Sequence, residues 1–66
     1  MSKKTLRQLR RERDITQEEL SRMTRITSRS ITTYENNVQA LRSASYDYVE
    51  RLAKALDVDI DDIFLG

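Results

Sequence analysis

The ten residues TRITSRSITT, from Thr24 to Thr33, combine hydrogen-bonding groups with aliphatic side chains. Six of the ten carry a hydroxyl, two are arginines, two are isoleucines, and none is acidic. Such a set can offer hydrogen bonds and positive charge to a polar or anionic ligand, while the isoleucines hold it against a core. The chemistry that this stretch suggests is therefore recognition of a ligand.

Bond-making chemistry has little support elsewhere in the chain. Cysteine and histidine are both absent, which removes the commonest acid–base and thiol catalysts and the usual zinc ligands. The acidic run DVDIDD begins like a calcium-binding loop, but Asp62 occupies the position where that loop requires glycine. Helix capping and overall acidity explain the run better. We therefore predict no enzymatic activity, no catalytic residue, no metal site and no cofactor.

Charge is distributed unevenly between the two halves of the chain. Residues 1–33 hold nine basic and four acidic residues, a net charge of +5, whereas residues 34–66 hold three basic and seven acidic residues, a net charge of −4. The basic half is suited to a polyanion, and the acidic half is suited to a protein partner. An ordinary solvated surface of mixed charge is the alternative explanation.

The composition favours an all-α fold, because proline is absent and the single glycine is Gly66. We predict one domain, spanning residues 1–66, built as a compact bundle of five short helices. Apolar spacing and capping residues place the helices at about 4–13, 16–24, 28–36, 46–57 and 60–64. Residues 37–45 are predicted to be a loop.

Several side chains are assigned to helix starts or to the core. Thr16 and Glu19 form a predicted capping box at the second helix, and Thr27 is the predicted cap of the third. The inward face of the second helix takes either Met23 or Thr24. The other predicted core residues are Leu6, Leu9, Ile15, Leu20, Ile26, Ile31, Tyr34, Val49, Leu52, Ala53, Leu56, Ile63 and Phe64.

The segment TQEELSRMTRITSRSITTYENN, residues 16–37, resembles the helix-turn-helix motif of phage repressors and Cro proteins, also called XRE-type regulators. The family motif reads roughly T-Q-E-E-L-A-x-x-x-G-V-S-x-x-x-I-S-x-x-E-N-G and aligns here without a gap. LRQLRRERDIT is similar to the usual first helix, and LAKALDVDIDDIF to the last two. The resemblance covers about residues 5–64 and implies a lambda-repressor-like bundle with its helix-turn-helix at about 16–36.

The resemblance also implies roles for individual residues. Base-reading positions on the third helix correspond to Ser28, Arg29, Thr32 and Thr33. Phosphate-binding positions correspond to Gln17, Thr27, Ser30 and Asn36, to which Arg25 adds positive charge near the turn. Arg10 and Glu35 match a pair that forms a structural ion pair. Each role has an ordinary alternative: a capping-box residue for Gln17, a surface ion pair for Arg29, a helix end for Asn36, and solvated hydroxyls for the serine and threonines.

The chain departs from the family motif at the turn and after the third helix. Thr24 and Arg25 stand where leucine and glycine are usual, so Arg25 needs a positive φ or a re-routed connection, and Met23 can compensate in the core. Asn37 replaces a frequent glycine, in a position where asparagine tolerates the left-handed conformation. The loop at 38–44 is longer than usual and keeps Arg42 as its one cation, which weakens the case for phosphate contacts there.

From these observations we expect a cytoplasmic, sequence-specific double-stranded DNA-binding regulator, a repressor of phage or bacterial origin. A homodimer at an inverted-repeat operator is expected, with self-contact near Val58, Phe64 and Leu65 and from the long loop. No apolar run reaches the length of about 18 residues that a membrane span requires. The alternative is an antirepressor or antitoxin that uses the same fold to bind a regulator or a toxin.

Overall fold

The computed structural model describes residues 3–66, which form five α-helices followed by one 3₁₀ turn. The helices are α1 (Leu6–Glu12), α2 (Gln17–Thr24), α3 (Ser28–Asn36), α4 (Val38–Arg42) and α5 (Tyr46–Ala55), and the 3₁₀ turn is Ile60–Asp62. The predicted all-α class is confirmed. The helix starts of α2, α3 and α5 also lie within about one residue of their predicted positions.

Hydroxyl side chains begin most of the helices. The Thr16 Oγ1 accepts a hydrogen bond from the Glu19 amide at 3.1 Å, and the Glu19 carboxylate accepts one from the Thr16 amide at 3.1 Å. This is the predicted capping box, and Thr5 and Gln8 form a second one at α1 that was not predicted. Each cap satisfies an amide that has no partner inside the helix and stabilises the start by about 1 kcal/mol.

The core is formed by aliphatic side chains from every helix. Leu20, Leu52, Leu56 and Ile31 have no exposed surface. On α1 and α5 the buried residues recur three or four apart, as Leu6 and Leu9 or Val49 and Leu52 do, so each of these helices presents one apolar face inward. Among the described residues, the buried hydrophobic ones are Leu6, Leu9, Leu20, Ile26, Ile31, Leu41, Val49, Leu52, Ala53, Leu56 and Ile63.

The prediction of a loop at residues 37–45 is wrong, because α4 occupies five of these positions. The Asn37 side chain caps this helix by accepting from the amides of Gln39 and Ala40 at 3.0 and 3.3 Å. Leu41 is buried and anchors the helix to the core. Asn37 itself is extended, with φ −139° and ψ 101°, so it is not the left-handed residue that the motif suggested.

One predicted core residue, Phe64, is exposed, and of the two alternatives for the inward face of α2 it is Thr24 that is buried. Met23 is 55% exposed, and Thr24 takes the inward position on α2. Phe64 is 41% exposed, whereas its neighbour Ile63 is fully buried. The reason lies in the backbone, since Ile63 is extended and pairs with Lys4 in a parallel bridge. Successive side chains of an extended segment point to opposite sides, so burial of Ile63 turns Phe64 outward.

Candidate functional site

The outward face of α3 carries the four residues that were predicted to read bases. At about 100° per residue, Ser28, Arg29, Thr32 and Thr33 lie on one side of the helix, and Ile31 and Tyr34 lie on the other. Ile31 is fully buried and Tyr34 packs against the core, which fixes the orientation of the helix. Arg29, Thr32 and Thr33 are exposed, and Ser28 is half-buried.

Arg29 is the long cation of this face. Within residues 3–66 its guanidinium forms no ion pair, so the surface ion pair that was the alternative explanation does not form. A guanidinium that has no internal partner keeps its donors for a ligand, and its paired N–H groups match two adjacent acceptors such as O6 and N7 of guanine. Arg29 therefore has the geometry expected of a recognition side chain.

The start of α3 is organised by hydroxyl groups. Thr27 is the cap, because its Oγ1 accepts from the Ser30 amide at 3.1 Å and lies 3.0 Å from the Ser30 Oγ. Thr27 is exposed and Ser30 is half-buried. This arrangement keeps both hydroxyls beside the first turn of α3, where the helix dipole favours an anionic group.

A buried carboxylate joins α1 to the end of α3. Arg10 donates from Nε to Glu35 Oε2 at 2.6 Å and from a terminal nitrogen to Glu35 Oε1 at 3.1 Å. The Glu35 side chain is fully buried and that of Arg10 is 12% exposed. Arg10 also donates to the Ile15 carbonyl at 2.9 Å. The two residues that the resemblance assigned to a structural ion pair thus form a two-point contact in the interior.

The pKa of Glu35 reflects two opposing effects. Burial raises the pKa, but hydrogen bonds from Arg10, Gln17 and Arg7 and the positive charge of Arg10 lower it. The balance holds the pKa of Glu35 below its ordinary value of 4.5. Glu35 is consequently a carboxylate at neutral pH, and both of its oxygens accept hydrogen bonds.

Gln17 connects this carboxylate to the outward face of α3. Its Nε2 donates to Glu35 Oε1 at 3.0 Å, and its Oε1 accepts from the Thr32 hydroxyl at 3.0 Å. Gln17 was predicted to bind phosphate with its side chain and with the free amides at the start of α2. The side-chain oxygen is engaged internally, so the groups left for a phosphate are the second Nε2 hydrogen and the backbone amides of Gln17 and Glu18.

Arg7 is a member of the site that the sequence reasoning missed. It donates to the Asn36 Oδ1 at 2.6 Å and to Glu35 Oε1 at 3.4 Å. Because the Asn36 oxygen is held by Arg7, its amide nitrogen keeps both hydrogens for an external acceptor. The available signal was the spacing of Arg7 and Arg10, which are three residues apart and therefore share a face of α1. We call Arg7, Arg10, Gln17, Thr32, Glu35 and Asn36 the Glu35 cluster.

The turn between α2 and α3 retains a left-handed residue despite the absence of glycine. Arg25 has φ 60° and ψ 28°, and its amide donates to the Ser21 carbonyl at 2.8 Å. The buried Thr24 hydroxyl donates to the Leu20 carbonyl at 2.7 Å and accepts from the Ile26 amide at 3.2 Å. The side chain of Arg25 borders a surface depression, together with α5 residues Arg51 and Lys54.

Other kinds of site lack support within residues 3–66. No group of three or more acidic side chains in this range is arranged to hold a metal ion. Asp62 instead accepts from the amide of Asp59, the N-cap of the 3₁₀ turn, at 3.1 Å. None of the described helices has the length and apolarity to cross a membrane.

Comparison with known proteins finds a family model that matches most of the chain. The family model described as helix-turn-helix matches residues 6–63, from the start of α1 to the buried Ile63. The match includes α2, the turn and α3, together with both partners of the buried ion pair. No match was found among curated proteins or among solved structures.

Proposed function

The chain belongs to the Cro and phage-repressor type (XRE) family of DNA-binding helix-turn-helix regulators, and from this membership we propose that it binds double-stranded DNA sequence-specifically, as a transcriptional repressor of phage or bacterial origin. The family is regulatory and not enzymatic. The observation that carries the proposal is the outward face of α3, which is polar, largely exposed, free of acidic residues and centred on Arg29, a cation without an ion-pair partner among residues 3–66.

In the proposed complex, α3 enters the major groove and its outward residues meet base edges. Arg29 donates to two acceptors of a guanine, and Ser28, Thr32 and Thr33 contact neighbouring base edges or thymine methyl groups. Gln17, Thr27, Ser30, Asn36 and Arg25 hold the phosphate backbone on either side and set the register.

The protein binds its operator as a homodimer. Two α3 helices then lie in successive major grooves about 34 Å apart, which requires an inverted repeat. The proposed self-contact surface consists of Val58, Phe64 and Leu65, of which Phe64 is 41% exposed and the others are half-buried. A protected region the length of one half-site would contradict the dimer.

Selection from a random duplex pool at about 0.15 M salt tests the proposal. We expect an inverted repeat to be enriched, and the affinity for it to fall steeply as salt increases, because several phosphate contacts release counterions. Failure to enrich any sequence would reject sequence-specific DNA binding.

Substitution of Arg29 separates base reading from phosphate binding. Arg29→Ala should weaken binding to the best site by about 1–3 kcal/mol and relax the preference at one base pair. Asn36→Ala, at a proposed phosphate contact, should weaken all sequences by similar amounts. If Arg29→Ala weakened every duplex equally, its assignment as a base reader would be wrong.

A second candidate, binding to a partner protein as an antirepressor or antitoxin, is favoured by one surface feature. Tyr46 is 70% exposed and borders a depression between α5 and the 3₁₀ turn, whose lining includes the apolar Ala53, Val58 and Ile60, the acidic Glu50, Asp59 and Asp61, and the basic Lys54. Apolar side chains with three acidic residues against one basic residue suit a protein segment of net positive charge. Capture of a host protein, together with failure to enrich any duplex, would favour this candidate.

A further inference from the structure

The hydroxyl of Thr32 faces two acceptors inside the protein. Its Oγ1 lies 2.9 Å from the Ser28 carbonyl oxygen and 3.0 Å from the Gln17 Oε1. A hydroxyl carries one proton, and both of these neighbours can only accept it. The Thr32 proton is therefore directed inward, and the exposed side of the oxygen presents lone pairs.

The orientation of the Gln17 amide follows from its position beside Glu35. The carboxylate can only accept, so the nitrogen of the amide must face it, and Nε2 lies 3.0 Å from Oε1 of Glu35. The amide oxygen is then turned toward Thr32. Reversing the amide would place oxygen against oxygen at Glu35 and nitrogen against the Thr32 hydroxyl. Glu35 is itself held in place by Arg10 at two points.

From this chain of contacts we propose that Thr32 acts toward DNA only as a hydrogen-bond acceptor, with Gln17 as the positioning residue that fixes its polarity. The major-groove groups that it can read are consequently the amino groups of adenine N6 and cytosine N4. The inference rests on the proposed DNA binding. Every base pair exposes one amino group in the major groove, so an acceptor does not by itself select one base pair. The inference therefore states which atom of the contacted base pair Thr32 binds.

Thr33 provides the matched comparison on the same helix. Its Oγ1 donates to the Arg29 carbonyl at 3.0 Å, and no second side chain within residues 3–66 accepts from it. The Thr33 hydroxyl can therefore rotate and donate outward at the expense of one internal hydrogen bond. For Thr32, a proton that leaves the Ser28 carbonyl still has the Gln17 Oε1 as a second inward acceptor.

The test uses the full chain and its selected duplex. The variant Thr32→Val keeps the shape of the side chain and one methyl group. A comparison of its sequence preference with that of the wild type identifies the base pair that Thr32 contacts. The amino group of that pair is then removed by placing purine for adenine, or pyrimidin-2-one for cytosine. We expect the wild type to lose about five-fold in affinity, the range of one neutral hydrogen bond.

With the same duplex, the Thr32→Val protein should lose less than about two-fold in affinity, because it has no hydroxyl to accept from the amino group. Comparing both proteins on both duplexes is a double-mutant cycle, and it cancels the effect of the base analogue on the duplex itself. Thr33→Val should lose affinity as much as the wild type does when the amino group is removed. A 7-deaza purine at the pair, which removes an acceptor, should affect the wild type and Thr32→Val equally. If the 7-deaza duplex weakened binding of the wild type but not of Thr32→Val, Thr32 would be a donor to that base, and the inference would be overturned.

A readout without DNA tests the role of Gln17. In nuclear magnetic resonance spectra, the Thr32 hydroxyl proton should exchange with water more slowly than that of Thr33, which has one internal acceptor, and Gln17→Met should remove this difference. The preference for the amino group should decrease from about five-fold to about two-fold in the same variant. Unchanged exchange and unchanged preference would reject Gln17 as a positioning residue.

The two proposals fail differently. If the protein enriches no duplex, the proposed function and the inference fall together. If it enriches a duplex but the amino group makes no difference to the wild type, DNA binding stands and the acceptor role of Thr32 is rejected.

Discussion

The two sides of this small domain are held together by different kinds of interaction. On the side of α1 and the start of α2, the Glu35 cluster links three helices through directed hydrogen bonds around a fully buried carboxylate. On the side of α5, the contact is mainly the apolar stripe formed by Val49, Leu52, Ala53 and Leu56, with one long hydrogen bond of 3.4 Å from Arg51 to the Thr24 carbonyl. The charged pairs of α5 lie outside this stripe on the surface.

The difference separates stability from recognition. Apolar burial is not directional, so the stripe holds α5 in place without specifying the orientation of any polar group. Hydrogen bonds to a buried carboxylate require particular distances and donors, so the Glu35 cluster fixes the orientation of Gln17 and Thr32. We expect damage to the stripe to reduce the folded fraction, and loss of the bonds that hold Glu35 and Gln17 to alter sequence preference as well.

The largest expected effect is the loss of Leu52, whose side chain is fully buried. Leu52→Ala should decrease the free energy of unfolding by about 3–4 kcal/mol, because it removes apolar contacts and leaves a cavity. A domain of this size has only a few kcal/mol of stability, so much of the protein should be unfolded at 25 °C. Urea denaturation followed by circular dichroism measures the change.

Leu52→Met is the matched control, since it nearly conserves volume and should cost less than about 1.5 kcal/mol. The fraction of Leu52→Ala that remains folded should select the same operator as the wild type. A changed operator would show that the stripe also orients the recognition side chains, so that stability and recognition would not be separated between the two sides of the domain.

The next largest effect is expected inside the Glu35 cluster. Arg10→Met should destabilise the protein by about 2 kcal/mol, because it leaves the buried Glu35 with weaker donors from Arg7 and Gln17. Arg11→Met, at the neighbouring exposed position of α1, should change stability by less than about 0.5 kcal/mol. Urea denaturation of the two variants measures their stability, and selection from a duplex pool measures their sequence preference.

For Arg10→Met we also expect a weaker preference at the base pair that Thr32 contacts, since the support of Gln17 through Glu35 is loosened. Equal stability of Arg10→Met and Arg11→Met would mean that the buried ion pair contributes nothing measurable.

Local features of the fold could be predicted from the sequence because their partners lie within a few residues. The capping box of Thr16 and Glu19, the cap at Thr27 and the apolar spacing of α5 all follow from helix geometry. Thr24 was harder, because a hydroxyl usually indicates an exposed position. Here it is buried only because the Leu20 carbonyl and the Ile26 amide satisfy it within the same turn.

The polar contacts between helices could not be predicted from spacing. The bond from Gln17 to Glu35 joins residues 18 apart, and that from Arg7 to Asn36 joins residues 29 apart. Such contacts depend on how α1, α2 and α3 pack, and no local pattern specifies them. The family resemblance gave the pairing of Arg10 with Glu35, but it did not give the link to Thr32.

A smaller effect is expected when pH is lowered. The pKa of Glu35 in the folded protein lies below its ordinary value of 4.5, so the unfolded chain takes up the proton first as pH falls. The stabilisation by Glu35 is therefore complete above about pH 4.5 and is lost as pH falls toward the folded pKa.

Glu35→Gln, which cannot take up this proton, should show a shallower decrease in unfolding free energy below pH 4.5 than the wild type. The difference in slope should be at most about 1.4 kcal/mol per pH unit, the limit for one proton. Chemical denaturation at a series of pH values measures it. Parallel curves for the two proteins would indicate that Glu35 titrates alike in both states.

The smallest effect is expected on the exposed side of α5, where Lys54 and Glu50 pair at 4.0 Å with side chains 78% and 41% exposed. Glu50→Gln should change the unfolding free energy by less than about 0.5 kcal/mol, because water screens the pair and ordering two long side chains offsets the attraction. Urea denaturation in low and in high salt provides the measurement. A salt-dependent loss above about 1 kcal/mol would mean that charge on α5 contributes to the fold, and the contrast between a polar cluster on one side and an apolar stripe on the other would have to be abandoned.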